Sequence, residues 1–201
     1  MNAITETTLP AIGTPMPGGF FSGAIQIDGQ RFAIIQAKKV NELSGIWHPE
    51  EIDVPGAKSY NDGLANTQAM AEAGSDLAKQ VLALEIDGLN DFYIPSQDEK
   101  ELCYRAFKPT TERNWCYARS GINLSALPPT YPYTPDFPAQ TTLDAFKKDG
   151  EEAFEEEAYW TSTQHAGNSY GAWYQHFRNG IQSLNGKSCE CRVRPVRRQP
   201  I

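Results

Sequence analysis

Two Asn-Gly dipeptides, Asn179-Gly180 and Asn185-Gly186, punctuate a stretch that alternates aromatic and polar residues from Tyr159 to Arg194. Both residues of such a pair tolerate the positive φ that a type I′ turn demands, so Asn-Gly between alternating segments is a strong local hairpin signal. The strand candidates are Tyr159–Gln164, Ala172–Phe177 and Arg192–Arg194. The last third of the chain is therefore expected to form a compact antiparallel sheet that reverses at both dipeptides. Small polar side chains gather around those turns while Trp and Phe alternate behind them. A stiff frame carrying a polar outer face suits binding better than catalysis.

With 201 residues and 40% hydrophobic content, the chain can bury a sizeable core. The expected organisation is an N-terminal arm over residues 1–17, rich in Thr, Pro and Gly, followed by a single domain over 18–201. The net charge of −7 argues against a nucleic-acid partner, which would favour a basic face. The basic cluster Arg192, Arg194, Arg197 and Arg198 is expected to pair with acids such as Glu155–Glu157. Met1–Gly13 lacks the basic start and apolar core of a secretory signal, and no apolar run reaches bilayer length. The expectation is synthesis in the cytoplasm without membrane insertion.

Cysteines stand at 103, 116, 189 and 191, with no Cys-x-x-Cys pair, and His48, His165 and His176 are scattered. That pattern predicts neither a zinc site nor a bound cofactor. Cys189 and Cys191, two apart on an expected strand, point to one face, and a disulfide between them would be strained. Cys103 reads as a small buried hydrophobe.

Along the chain, Phe21–Ile27 and Arg31–Ala37 flank Asp28-Gly29 as a first hairpin. Val40–Lys58 reads as a loop in which Trp47 covers a core edge. Asn61 or Asp62 caps a helix expected to reach about Leu84, with Gly74 as its weak point. Phe92–Pro95 predicts a short strand. Ser96-Gln97-Asp98-Glu99 is a capping box opening a second helix to about Phe107, with Leu102, Tyr104 (or Cys103) and Ala106 turned inward. Asn114–Gln140 is a long insertion whose Pro128–Pro138 segment is expected to pack on its own domain rather than serve as a polyproline ligand. Leu143, Phe146 and Phe154 mark a short amphipathic piece. Two helices on small antiparallel sheets make an α+β class, with N- and C-terminal strands side by side.

The order of these elements resembles the C-type-lectin-like fold. Particular segments narrow the resemblance: Ser59-Tyr60-Asn61-Asp62-Gly63, Asp91–Ser96, Tyr159–Thr163, Ala172-Trp173-Tyr174 and Arg192–Arg197. In that order they are similar to the Lcl C-terminal domain family, common in phages and bacterial surface proteins, over roughly Gly18–Arg198. The resemblance implies a phage or prophage virion protein whose binding face recognises a host-surface protein or glycan. It implies an arm that contacts other virion proteins and a homo-oligomer such as a trimer. A capsid decoration or tail component with purely structural contacts is the alternative.

Some relatives of this type are variable proteins of diversity-generating retroelements, in which mutagenesis of Asn codons reaches a restricted set of residues. His165, Asn168, Tyr170, Arg178, Ile181, Ser183, Leu184, Asn185, Ser188, Cys189 and Cys191 belong to that set. With His176 they form the expected ligand-binding residues. Trp160, Trp173, Gln175, Gln182, Lys187 and Glu190 would be scaffold. The same broad fold carries formylglycine-generating enzymes, but the Cys-Glu-Cys spacing and its surroundings do not match theirs, so no enzyme is expected. The Glu-Pro-Asn, Gln-Pro-Asp and Trp-Asn-Asp motifs of calcium-dependent lectins are absent.

Overall fold

Alternating apolar residues on either side of Asp28-Gly29 build the first ribbon. In the computed structural model, which describes residues 9–117 and 120–201, β1 (Pro15–Met16), β2 (Gly19–Ile27) and β3 (Gln30–Ala37) are antiparallel neighbours. Asp28 and Gly29 both take positive φ, 48° and 82°, as the turn requires. Residues 1–8 of the expected arm lie outside the described residues. Pro15 and Met16 already pair with Phe20 and Gly19, so the later part of the arm belongs to the sheet.

The stretch after β3 is not all loop. Leu43–Ile46 forms a short strand, β4. Its Ser and Gly hide any alternation, and it is defined by its partner strand rather than by its own pattern. Trp47 is fully buried and its indole N–H donates to the Thr161 carbonyl at 2.9 Å, in keeping with a core-covering role.

The expected long helix is two. α1 (Gly63–Ala73) is capped by Asp62, whose side chain accepts from Ala65 N. It stops at Gly74, whose φ of 114° is left-handed. Ser75 then caps α2 (Asp76–Leu82) and donates to the Trp47 carbonyl, so the break is fixed by a tertiary contact. Phe92–Pro95 contributes only a single antiparallel bridge, Tyr93 to Val196, rather than a strand. The second predicted helix is present as α3 (Gln97–Phe107), with the reciprocal Ser96–Glu99 capping box formed. Leu102, Cys103, Tyr104 and Ala106 are all buried.

The last third holds β5 (Ala158–Gln164), β6 (Gly171–His176), β7 (Gln182–Gly186), β8 (Glu190–Val193) and β9 (Val196–Pro200). They do not form one meander. The strand orders are β1-β2-β3-β9 and β4-β8-β5-β6-β7. Hence β8 abandons β7 to lie between β4 and β5, running parallel to β5, and β9 crosses to the first sheet. The N- and C-terminal ribbons are therefore neighbours. Only one of the two Asn-Gly turns is made. Gly180 has φ 75°, whereas Asn185 and Gly186 lie inside β7, opposite Ala172 and Gly171. The next reversal falls at Lys187–Cys189, closed by Cys189 N donating to the Gly186 carbonyl at 2.9 Å.

The result is a mixed α+β arrangement with three α-helices and two sheets among the described residues. One core cluster joins β2 and β3 to α3 through Ile25, Ile34, Tyr104, Phe107, Tyr159 and Phe177. A second joins α1 and α2 to the other sheet through Trp47, Met70, Val81, Trp160 and Val193. No described helix is long and apolar enough to cross a membrane.

The four arginines pair with acids, as expected, but mostly not with Glu155–Glu157. Arg192 reaches Glu157 at 2.6 Å and Glu42 at 3.0 Å. Arg194 pairs with Glu42 at 2.8 Å, Arg197 with Asp91 at 2.7 Å and Arg198 with Asp62 at 2.9 Å. Glu155 and Glu156 are taken instead by Lys39 and Lys148. Strand register places each arginine, and register is invisible in a linear sequence.

Candidate functional site

Asn114 is the hinge on which the site is assembled. Its side-chain oxygen accepts from the Tyr104 hydroxyl of α3 at 2.6 Å and from Lys108 Nζ at 2.9 Å. Its side-chain nitrogen donates to the Pro138 and Thr134 carbonyls at 2.9 and 3.1 Å. Burial holds the Lys108 ammonium below the usual lysine range. The insertion is thus stapled to the core at both ends, and the Pro-rich part packs on its own domain through buried Tyr133.

The next residue, Trp115, donates its backbone N–H to the Asn179 carbonyl at 2.8 Å, which pins the insertion to the β6–β7 turn. The turn is fixed from below as well. A Cβ on Gly180 would sit 2.6 Å from the Tyr104 ring, so glycine is required there for space as well as for φ. Trp115 and Tyr117 then stand away from the core, 51% and 71% exposed, facing the ribbon.

Between them and the ribbon lies a groove of about 420 Å³ lined by Trp115, Tyr117, Trp173, Tyr174 and Ile181–Leu184. Trp173 opposes Leu184 and Tyr174 opposes Ser183 across the ladder. Among the described residues the lining carries no Asp, Glu, Lys, Arg or His. Aromatic planes with a few neutral polar groups are the chemistry of a recognition surface. Gln182 is oriented by accepting from Gly121 N at 3.4 Å.

The expected ligand-binding residues fall into separate groups. Ile181, Ser183 and Leu184 line the groove, half-buried. His165, Asn168 and Tyr170 lie in the β5–β6 loop at one end of the ribbon. There the His165 ring stands 5.4 Å from that of Trp173, Asn168 accepts from Tyr170 N at 3.1 Å, and Tyr170 is 60% exposed. Ser188 and Cys189 are exposed in the turn after β7. His176 and Arg178 lie at the opposite end, about 17 Å along β6 at strand spacing. Arg178 N donates to His176 Nδ1 at 3.2 Å, and burial, then the Arg178 charge, holds this imidazole below the usual histidine range.

Cys191 does not belong to the outer face. It is buried in the second core cluster, 3.8 Å from Asn185 Nδ2, and burial pushes its thiol up to about 11. Nor do Cys189 and Cys191 share a strand face, because Cys189 precedes β8 and sits in the turn. All four cysteines are unpaired.

Of the expected scaffold residues, Trp160, Gln175 and Lys187 are fully buried, Trp173 and Gln182 line the groove, and Glu190 is exposed. Lys187 is held over the Trp47 ring at 4.5 Å and donates to the Ile52 carbonyl and to Gln164, which ties residues 52–53 to the end of the ribbon. Sequence reading missed Trp115 and Tyr117. Their signal was present: two aromatics two apart in a segment with no periodicity to give them a core-facing side. Among the described residues no His, Cys, Asp and Glu side chains are grouped to hold a metal ion. No protein-family model matches this chain, and no curated protein matches it.

Proposed function

We propose that the chain is a binding module of the Lcl C-terminal type, with a C-type-lectin-like fold, acting as a phage or prophage virion protein that recognises the host surface. The observation that carries this reading is the groove of Trp115, Tyr117, Trp173 and Leu184. Its described lining is aromatic and carries no charge, and it is mounted on a ribbon fixed from behind. Aromatic side chains supply large contact areas at low entropic cost, and a stiff frame lowers the ordering penalty of binding. The side-by-side terminal ribbons, the second sheet and the ordered segments that carry the family resemblance support the same reading. Weak single sites on a particle would be strengthened by multiple copies.

The direct test is adsorption of the purified chain to host cells, or of particles carrying it. Trp115→Ala and Tyr117→Ala should each weaken adsorption about tenfold or more, as truncation of interface aromatics commonly does. Their melting temperatures should stay near that of the parent, because both side chains stand outside the core. Undiminished adsorption in both variants would remove the groove from the reading.

A further inference from the structure

The outer edge of β7 borders the groove, and no described strand pairs with it. His176 N donates to the Ile181 carbonyl and Lys187 N to the Tyr170 carbonyl at the two ends of the β6–β7 ladder. Mutually bonded pairs in an antiparallel ladder recur at every second residue. The bonded pairs in between are therefore Tyr174 with Ser183 and Ala172 with Asn185. It follows that the backbone N–H and C=O groups of Gln182 and Leu184 point out of the sheet, where β7 is the terminal strand. No described residue bonds to them. The strand reads Gln-Ser-Leu-Asn-Gly, with no charge, no proline and no register shift. Charge, proline and bulges protect many free edges, and β7 carries none of the three.

Resting on the reading of the groove as the binding site, we propose that its ligand is an extended, uncharged peptide segment of a partner protein. The segment pairs along β7 as an added strand. Outward donors and acceptors repeating at every second residue match the main chain of another strand, and Trp115 and Tyr117 flank the path its side chains would take. A charged segment would lose hydration without gaining an ionic partner among the described lining residues, none of which carries a charge. A second copy of this chain is disfavoured as the occupant by a net charge of −7 on each molecule.

The test pans a library of short random peptides on the immobilised full chain and measures the affinity of those recovered. N-methylation along a selected peptide should weaken binding about tenfold at alternate amides and leave the intervening ones within about threefold. Leu184→Pro deletes an outward N–H without touching the β6–β7 ladder, and it should cost a similar factor. Leu184→Ala retains that N–H and should cost less. The methylation pattern is read on the parent protein, so it decides the matter even if Leu184→Pro misfolds. Recovery of no peptide, or methylation effects without alternation, would overturn the proposal. So would exclusive binding of neutral oligosaccharides in a parallel panel, or a self-association seen in sedimentation that Leu184→Pro abolishes. Adsorption lost in Trp115→Ala and Tyr117→Ala, with no peptide bound, would retain the site and discard only this ligand class.

Discussion

Gly180 shows how one residue is held to two requirements at once. Its φ of 75° lies where a side chain is strained, and the space a Cβ would need is filled by the Tyr104 ring at 2.6 Å. Gly29 meets only the first condition, having open space around it. Gly180→Ala should therefore destabilise the fold by about 1–3 kcal/mol, from backbone strain together with displacement of the ring. Gly29→Ala should cost less. Urea unfolding at unchanged m-value checks the order of the two, and equal losses would mean that Tyr104 yields freely. Because Tyr104 also holds Asn114, Gly180→Ala should loosen the Trp115 loop as well, visible as faster amide exchange there.

At the scale of elements, β7 is fastened at one end by the Asn179-Gly180 turn and at the other by Lys187. The Lys187 ammonium is fully enclosed and faces the Trp47 ring, Gln164, Asp53 and Lys58. Burial pushes its pKa down to about 8, against an ordinary value of 10.5, with Asp53 opposing the shift. A folded-state pKa below the unfolded one means that the unfolded chain holds more protons between those values. Lys187 should therefore contribute a rise in stability with pH from about 8 upward, which the buried Cys103 and Cys191 thiols, pushed up to about 11, oppose above about 9. Lys100, enclosed by the Phe154, Tyr159 and Phe177 rings and also pushed down to about 8, acts with the same sign. Lys187→Met keeps the stem against Trp47 and deletes the charge. It should flatten part of that rise in denaturant titrations across the window, and an unaltered slope would mean that Lys187 titrates normally.

The whole molecule is joined where the chain passes between sheets. Glu42 lies on the passage from β3 to β4, and Arg194 on the passage from β8 to β9. Their ion pair, at 2.8 Å, is almost completely enclosed. Arg194 also donates to the Glu152 and Ala153 carbonyls, and its guanidinium lies 3.9 Å from the Phe154 ring centre. Arg192 and the Tyr159 hydroxyl reach the same Glu42 carboxylate. Removing one partner of a buried pair strands the other charge, so Glu42→Ala should cost about 3–5 kcal/mol. Thermal unfolding measures it, and a loss below about 1 kcal/mol would show that solvent replaces the carboxylate.

The chain alone determined what depends on neighbours in sequence. The Asp28-Gly29 hairpin, the Ser96–Glu99 capping box with its helix, and the reversal at Asn179-Gly180 are all set by local φ preferences and by hydrogen bonds a few residues apart. The assignment of Ile181, Ser183 and Leu184 to an accessible ribbon was legible for the same reason. Tertiary structure decided the rest. It broke the first helix at Gly74, where Ser75 finds Trp47, and it carried Asn185-Gly186 into β7 instead of a turn. It drew β8 and β9 away to other partners and sealed Cys191 inside. It also brought Trp115 and Tyr117, some sixty residues earlier in the chain, against the ribbon through Asn114 and Asn179. Strand partnership and loop docking are settled by competition among distant surfaces for burial and hydrogen bonds, and no local stretch of sequence encodes the outcome of that competition.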